Sequence, residues 1–146
     1  MGNDSYDGVR VVEKAKTYSG KFKYVYGARS SSEIDCSGFV LKVLNELHSS
    51  IPLKIGNSTN AMITYAKANG GIRKSNPQVG DLALWEGHVE FVSSTSGLAF
   101  STFGASSNKK NNGITPSEKA FTSVNDPKLA YYGSTKIFLG FFTPSA

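Results

Sequence analysis

The chain has 146 residues, a formal net charge of +5, 39% apolar and 18% charged residues, the size and make-up of one domain able to bury a core without disulfides or a structural metal. One cysteine cannot form an internal disulfide, two histidines and that cysteine cannot build a four-ligand zinc cage, and no glycine-rich phosphate loop is present, so neither a metal nor another cofactor is expected. The longest nonpolar runs, such as Ile137 to Phe142, fall far short of the roughly 20 residues a membrane helix needs, and no membrane insertion is expected.

The start, Met1 to Ser5, lacks the basic and apolar blocks of a secretory signal, so action outside the cytoplasm would need another delivery route. Val9, Val12, Ala15 and Tyr18 predict a first helix from about Tyr6 to Ser19, stopped by Gly20, with a loop after it through Arg29 to Ser32. Cys36, Phe39, Val40, Val43, Leu44 and Leu47 then recur at helical spacing, which predicts a core helix with Cys36 in its first turn. Pro52 is expected to break the chain, and Asn57, Ser58 and Thr59 to cap a third helix running to Gly70 and Gly71. From Val79 the period shortens. Leu82 to Trp85, His88 to Ser93 and Leu98 to Phe103 read as strands, the last two joined by a turn at Ser94 to Gly97. Ala105 to Gly113 reads as a loop and Ile137 to Phe142 as a final strand. Helices followed by a strand meander predict an α+β domain, its N-terminal helices packed on one face of an antiparallel sheet.

Positive charge raises affinity for polyanions, including anionic cell-wall polymers. Without a Lys/Arg cluster or a basic stripe interleaved with aromatics, nucleic acid is not an expected partner. Cys36 stands at a helix N-terminus, where unpaired amides and the helix dipole favour thiolate over thiol. His88 opens a strand directly after the Glu86-Gly87 turn and carries the side chain best suited to take a thiol proton and return it to a leaving amine. His48 lies about three helical turns beyond Cys36, more than about 15 Å along the axis, and is too distant to be that base.

Tyr24-Val25-Tyr26-Gly27, Ile34-Asp35-Cys36-Ser37-Gly38-Phe39-Val40, Pro52, Gly80-Asp81 and Gly87-His88-Val89 follow in the order that resembles the NlpC family of papain-like cell-wall cysteine peptidases. The resemblance implies one NlpC-type domain over residues 1–146 that hydrolyses an amide bond in the peptide stem of bacterial peptidoglycan, commonly γ-D-glutamyl to diaminopimelate or lysine. It implies Cys36 as nucleophile, His88 as base, Tyr24 beside the nucleophile, and Asp35 and Ser37 as contacts for a substrate amine or carboxylate. Asp35 is equally a helix cap. The backbone N–H of Cys36 is the simplest oxyanion donor.

The chain departs from the family twice. Ala28 replaces the second glycine of the Tyr-x-x-Gly-Gly pattern, and Phe100 stands where members carry the polar residue that orients the imidazole. Pairing Ser93 with Leu98 across the expected turn sets His88 opposite Phe103 and makes Ser101 the candidate for that role. A one-residue slip offers Thr102, Glu90 shares the His88 face, and a main-chain carbonyl remains open. The segment Gly56 to Met62 is similar to amidase effectors injected through type VI secretion or to toxin tips of polymorphic proteins. That similarity implies a secreted or periplasm-delivered monomer, with a secretion apparatus and an immunity protein as partners. A papain-like deamidase, acyltransferase or protease acting on proteins, and an inactive wall-binding relative, are the alternatives.

Overall fold

A computed structural model describes residues 5–107 and 113–145. Asp7 caps α1 (Gly8–Lys16), its carboxylate accepting from Arg10 N at 3.1 Å, and Val11, Val12 and Ala15 form the buried stripe. The helix is shorter than the Tyr6 to Ser19 expected. Two short strands follow where the sequence predicts only a loop: β1 (Phe22–Tyr24) and β2 (Glu33–Ile34), parallel to each other. The core helix α2 (Cys36–Leu47) begins where expected. Asp35, in extended backbone, accepts from Gly38 N at 2.7 Å, and the periodic apolar residues from Phe39 to Leu44 are fully buried.

Pro52 does not break the chain. It stands in the first turn of a short helix, α3 (Ser50–Ile55), where a missing N–H forfeits no helical hydrogen bond. Ser58 caps α4 (Thr59–Ala68) through Ala61 N at 3.1 Å.

The remaining chain builds the sheet from β3 (Leu82–Trp85), β4 (His88–Ser96), β5 (Ala99–Gly104), β7 (Ser117–Phe121), β8 (Tyr131–Tyr132) and β9 (Lys136–Phe142), in the spatial order β7-β5-β4-β3-β9-β8 with antiparallel pairing. Between β5 and β7 lies β6 (Ile114–Thr115), which pairs with β1, and α5 (Pro127–Ala130) leads into β8. Of the loop expected over residues 105–113, residues 108–112 lie outside the described part, as do residues 1–4.

Strand alternation divides the sheet into two faces. Leu82, Leu84, Val89, Phe91 and Phe103 join α1, α2, α3 and α4 in the larger core, where Phe39 meets Phe91 and Phe103 edge-on. Ala83, Trp85, Val92, Phe100 and Phe121 form a second cluster on the opposite face with Leu129 of α5 and Phe141 of β9. The Gly80-Asp81 pair is a structural knot. Gly80 has φ +92°, and a Cβ on it would meet Gly8 Cα at 2.2 Å, so both glycines are needed for α1 to dock here. Asp81 is fully buried against Arg73 and accepts from Gln78 N at 2.9 Å.

The β4–β5 register differs from expectation. The hairpin turns at Gly97 and Leu98, with Ser96 opposite Ala99, and an irregularity between Val92 and Ser94 shifts the ladder. Phe103 therefore faces Phe91 rather than His88, and Ser94 faces Ser101. A one-residue change of register moves every side chain to the other face, so Ser101 shares a face with Phe103 and the helices, away from His88.

Candidate active site

Cys36 enters the site from the first turn of α2 and His88 from the first residue of β4. Their side chains face one another. Burial by itself pushes the Cys36 thiol up, but the hydrogen bond and charge of His88, the backbone amide of Val89 and the Thr59 hydroxyl outweigh it and hold the thiol below its ordinary value. Burial pulls the His88 imidazole down, and the bonds to Cys36 and Glu90 overcome this, leaving it raised. Opposite shifts in a touching thiol and imidazole favour the thiolate–imidazolium pair. The sulfur also lies 3.7 Å from Thr59 Oγ1, at the start of α4.

Glu90, two residues along β4 and on the same face, accepts from the imidazole Nε2–H at 2.7 Å. Its other partners come from neighbouring strands: Thr102 Oγ1 of β5 donates to Oε1 at 2.8 Å, and Lys119 Nζ of β7 donates to Oε2 at 2.7 Å. Lys119 also donates to Ser106 Oγ at 3.1 Å. Burial raises the Glu90 carboxyl, but the Lys119 charge and the His88 hydrogen bond dominate and bring it down to about 2. The side chain is an anion with every partner in place, as a buried charge requires. Tyr132 of β8 stacks on the imidazole, with ring centroids 3.5 Å apart and planes 9° from parallel, and Trp85 approaches at 5.4 Å. Aromatic packing and the Glu90 bond together fix the ring.

Of the residues singled out in the sequence, the structure gathers Cys36, His88, Tyr24, Asp35 and Ser37. Tyr24 lines the same cleft as Cys36, and its phenol is raised first by burial and then by the sulfur's charge. Asp35 caps α2 and accepts from Gly27 N at 3.1 Å, while Ser37 Oγ accepts from Arg29 at 2.9 Å. Tyr24, Asp35, Cys36, Ser37 and Thr59 line an open cleft of about 210 Å³. A larger hollow of about 420 Å³, bordered by Glu90, Lys119, Lys128 and Tyr132, opens on the Glu90 side.

Ser101 is not brought to the site. The carboxylate that holds the imidazole belongs to Glu90, with Thr102 supporting it. Ala28, where a second glycine was expected, needs no left-handed backbone: Asn76 is the only non-glycine residue with positive φ among those described. His48 caps α2 and accepts from Asp7 N at 3.2 Å, a satisfied structural histidine. Lys119 and Tyr132 escaped sequence reasoning, because each reaches the site through tertiary packing and carries no local motif, and Thr59 was read only as part of a helix cap and of the Gly56 to Met62 segment. Among the described residues, no group of three or more His, Cys, Asp or Glu side chains could hold a metal ion. Among the same residues, no helix is long and apolar enough to cross a membrane.

Comparison with known proteins agrees with this architecture. The chain is similar in fold to the crystal structure of the NlpC/p60 domain of the peptidoglycan hydrolase SagA, with a TM-score of 0.57 and 24% identity over 79% of this chain and 90% of that one. No curated protein matches the chain. The family model of NlpC/P60 matches residues 20–100, which hold both Cys36 and His88, and the chain therefore belongs to the NlpC/P60 family.

Proposed function

We propose that the protein hydrolyses an amide bond in the peptide stem of peptidoglycan, of the γ-D-glutamyl to diaminopimelate or lysine type, by covalent catalysis. Family membership supports a cell-wall cysteine peptidase at the level of the family. The observation that carries the finer reading is the unbroken line Cys36, His88, Glu90, Lys119, in which His88 lowers the thiol, Cys36 and Glu90 raise the imidazole, and Lys119 and His88 lower the Glu90 carboxyl.

The Cys36 thiolate attacks the carbonyl carbon. The resulting oxyanion is received by the Cys36 N–H, one of the first-turn amides without a helical acceptor. His88, protonated in the resting pair, passes its Nδ1 proton to the departing amine as the C–N bond breaks, leaving a thioester on Cys36. Water then attacks the thioester, His88 takes its proton, the carboxylic acid leaves and the thiolate–imidazolium pair is restored. Throughout, Glu90 keeps Nε2 protonated and so turns Nδ1 toward the sulfur. Action on the wall outside the cytoplasm, whether as an injected effector or a toxin tip, belongs to this proposal and is supported only by the similarity of Gly56 to Met62.

The test is digestion of purified muropeptides from several wall types, read by mass spectrometry. The expected result is a pair of fragments that together gain one water, and a Cys36→Ala variant at least about a thousandfold slower with an unchanged fold. Equal digestion by Cys36→Ala, or none by the native protein on any wall, would overturn the reading.

A further inference from the structure

We propose that Arg29 is a specificity-determining residue that anchors the free α-carboxylate of the glutamyl residue on the acyl side of the scissile amide. The inference rests on the stem-peptide reading above and names the substrate feature that the same cleft selects.

Arg29 sits in the loop between β1 and β2 and lines the cleft that holds Cys36. One edge of its guanidinium is pinned at three points. Nη2 donates to Ser37 Oγ at 2.9 Å and to the Asn57 carbonyl at 2.6 Å, and Nε lies 3.7 Å from Asp35 Oδ1. The position depends on Gly38, since a Cβ there would meet Arg29 Cγ at 2.8 Å. Among the described residues nothing accepts from Nη1, and the side chain remains 40% exposed. A cation held through Nε and Nη2, with Nη1 left to donate, suits an incoming carboxylate.

The neighbouring groups point the same way. Among the described residues lining this cleft Asp35 is the one acidic side chain, and its oxygens are occupied: Oδ1 accepts from Gly38 N and Oδ2 from Gly27 N. Arg29 also flanks Oδ1, leaving an incoming ammonium a poor welcome. Ser37 Oγ already accepts from Arg29 and has its own O–H left to donate. Of the two groups that Asp35 and Ser37 could meet, amine or carboxylate, this corner favours the carboxylate. A glutamyl residue linked through its γ-carboxyl supplies one, three carbons from the carbonyl that Cys36 attacks. Stems in which that carboxylate is amidated present a neutral group in its place.

The experiment uses two synthetic stem peptides that differ only at this group, α-carboxylate in one and α-carboxamide in the other, cleaved by the native protein and by Arg29→Gln and Arg29→Lys. The native protein is expected to prefer the carboxylate by about tenfold or more in kcat/KM, Arg29→Gln to lose that preference, and Arg29→Lys to keep part of it. The ratio between two substrates does not depend on how much of a variant folds. Equal native cleavage of both stems, or an Arg29→Gln variant that keeps the native ratio, would overturn the assignment. Cleavage of either stem that disappears in Cys36→Ala keeps the hydrolase reading intact even then. Failure to cleave either stem or whole muropeptides removes that reading and this inference together.

Discussion

Along β4 the side chains alternate between two environments. Val89 and Phe91 enter an apolar core beneath the helices, while His88 and Glu90 form a polar line with Thr102 and Lys119 on the opposite face. The apolar side is held by area and shape, terms spread over many contacts, so one altered side chain weakens the whole without changing what it does. The polar side is held by a few directional bonds in a dry setting, where each group depends on the next. Along the start of β4, stability should therefore reside chiefly in Val89 and Phe91, and the setting of the imidazole in His88 and Glu90.

Truncating the apolar side is the largest test. Phe39→Ala removes a fully buried ring from α2 and should cost about 3 to 5 kcal/mol in a urea titration. Activity per folded molecule should stay near the native level. A variant that keeps its stability but loses its turnover would break the division.

The intermediate test is Glu90→Gln, which keeps shape and removes charge. Activity should fall by at least about tenfold. Because Glu90 raises the His88 imidazole, its loss should move the alkaline limb of the pH–rate profile to lower pH, where the imidazolium is surrendered earlier. Stability carries a second signature. The Glu90 carboxyl titrates at about 2 when folded against an ordinary 4.5, so its contribution is complete above pH 4.5 and disappears as pH falls from there toward 2, roughly 3 kcal/mol in all. Thermal midpoints between pH 7 and 3 should drop more steeply for the native protein than for Glu90→Gln; parallel curves would refute the assignment.

Ser101→Ala is the smallest test. Placed on the helix side by the observed register, it should change kcat/KM by less than about twofold and stability by less than about 0.5 kcal/mol. A large loss of activity would mean that His88 is oriented from β5 after all.

These contrasts also explain what could be read from the chain before its structure. The α2 helix was legible because six apolar residues recur at one period and Asp35 precedes them as a cap, so Cys36 could be set at a helix start. His88 was legible from its place after a glycine turn. The orienting group was not, because its identity depends on the parity of the β4–β5 ladder. The irregularity after Val92 reverses that parity without leaving a mark in the sequence. Glu90 stood among the alternatives because two-residue spacing along one strand is local, whereas Lys119 arrives from β7, 29 positions away. The strands β1 and β2, of three and two residues, were too short for any period to register.

The stacking of Tyr132 on His88 has a bearing on where the working unit ends. The match to the family model stops at residue 100, yet Thr102, Lys119 and Tyr132, the side chains that steady the His88 imidazole, all come later in the chain. A fragment trimmed to the shared signature would retain both reactive groups while losing the scaffold that aims one at the other. Under the proposed mechanism the minimal working unit is therefore longer than its hallmark, and the segment after residue 100 is machinery rather than trimming.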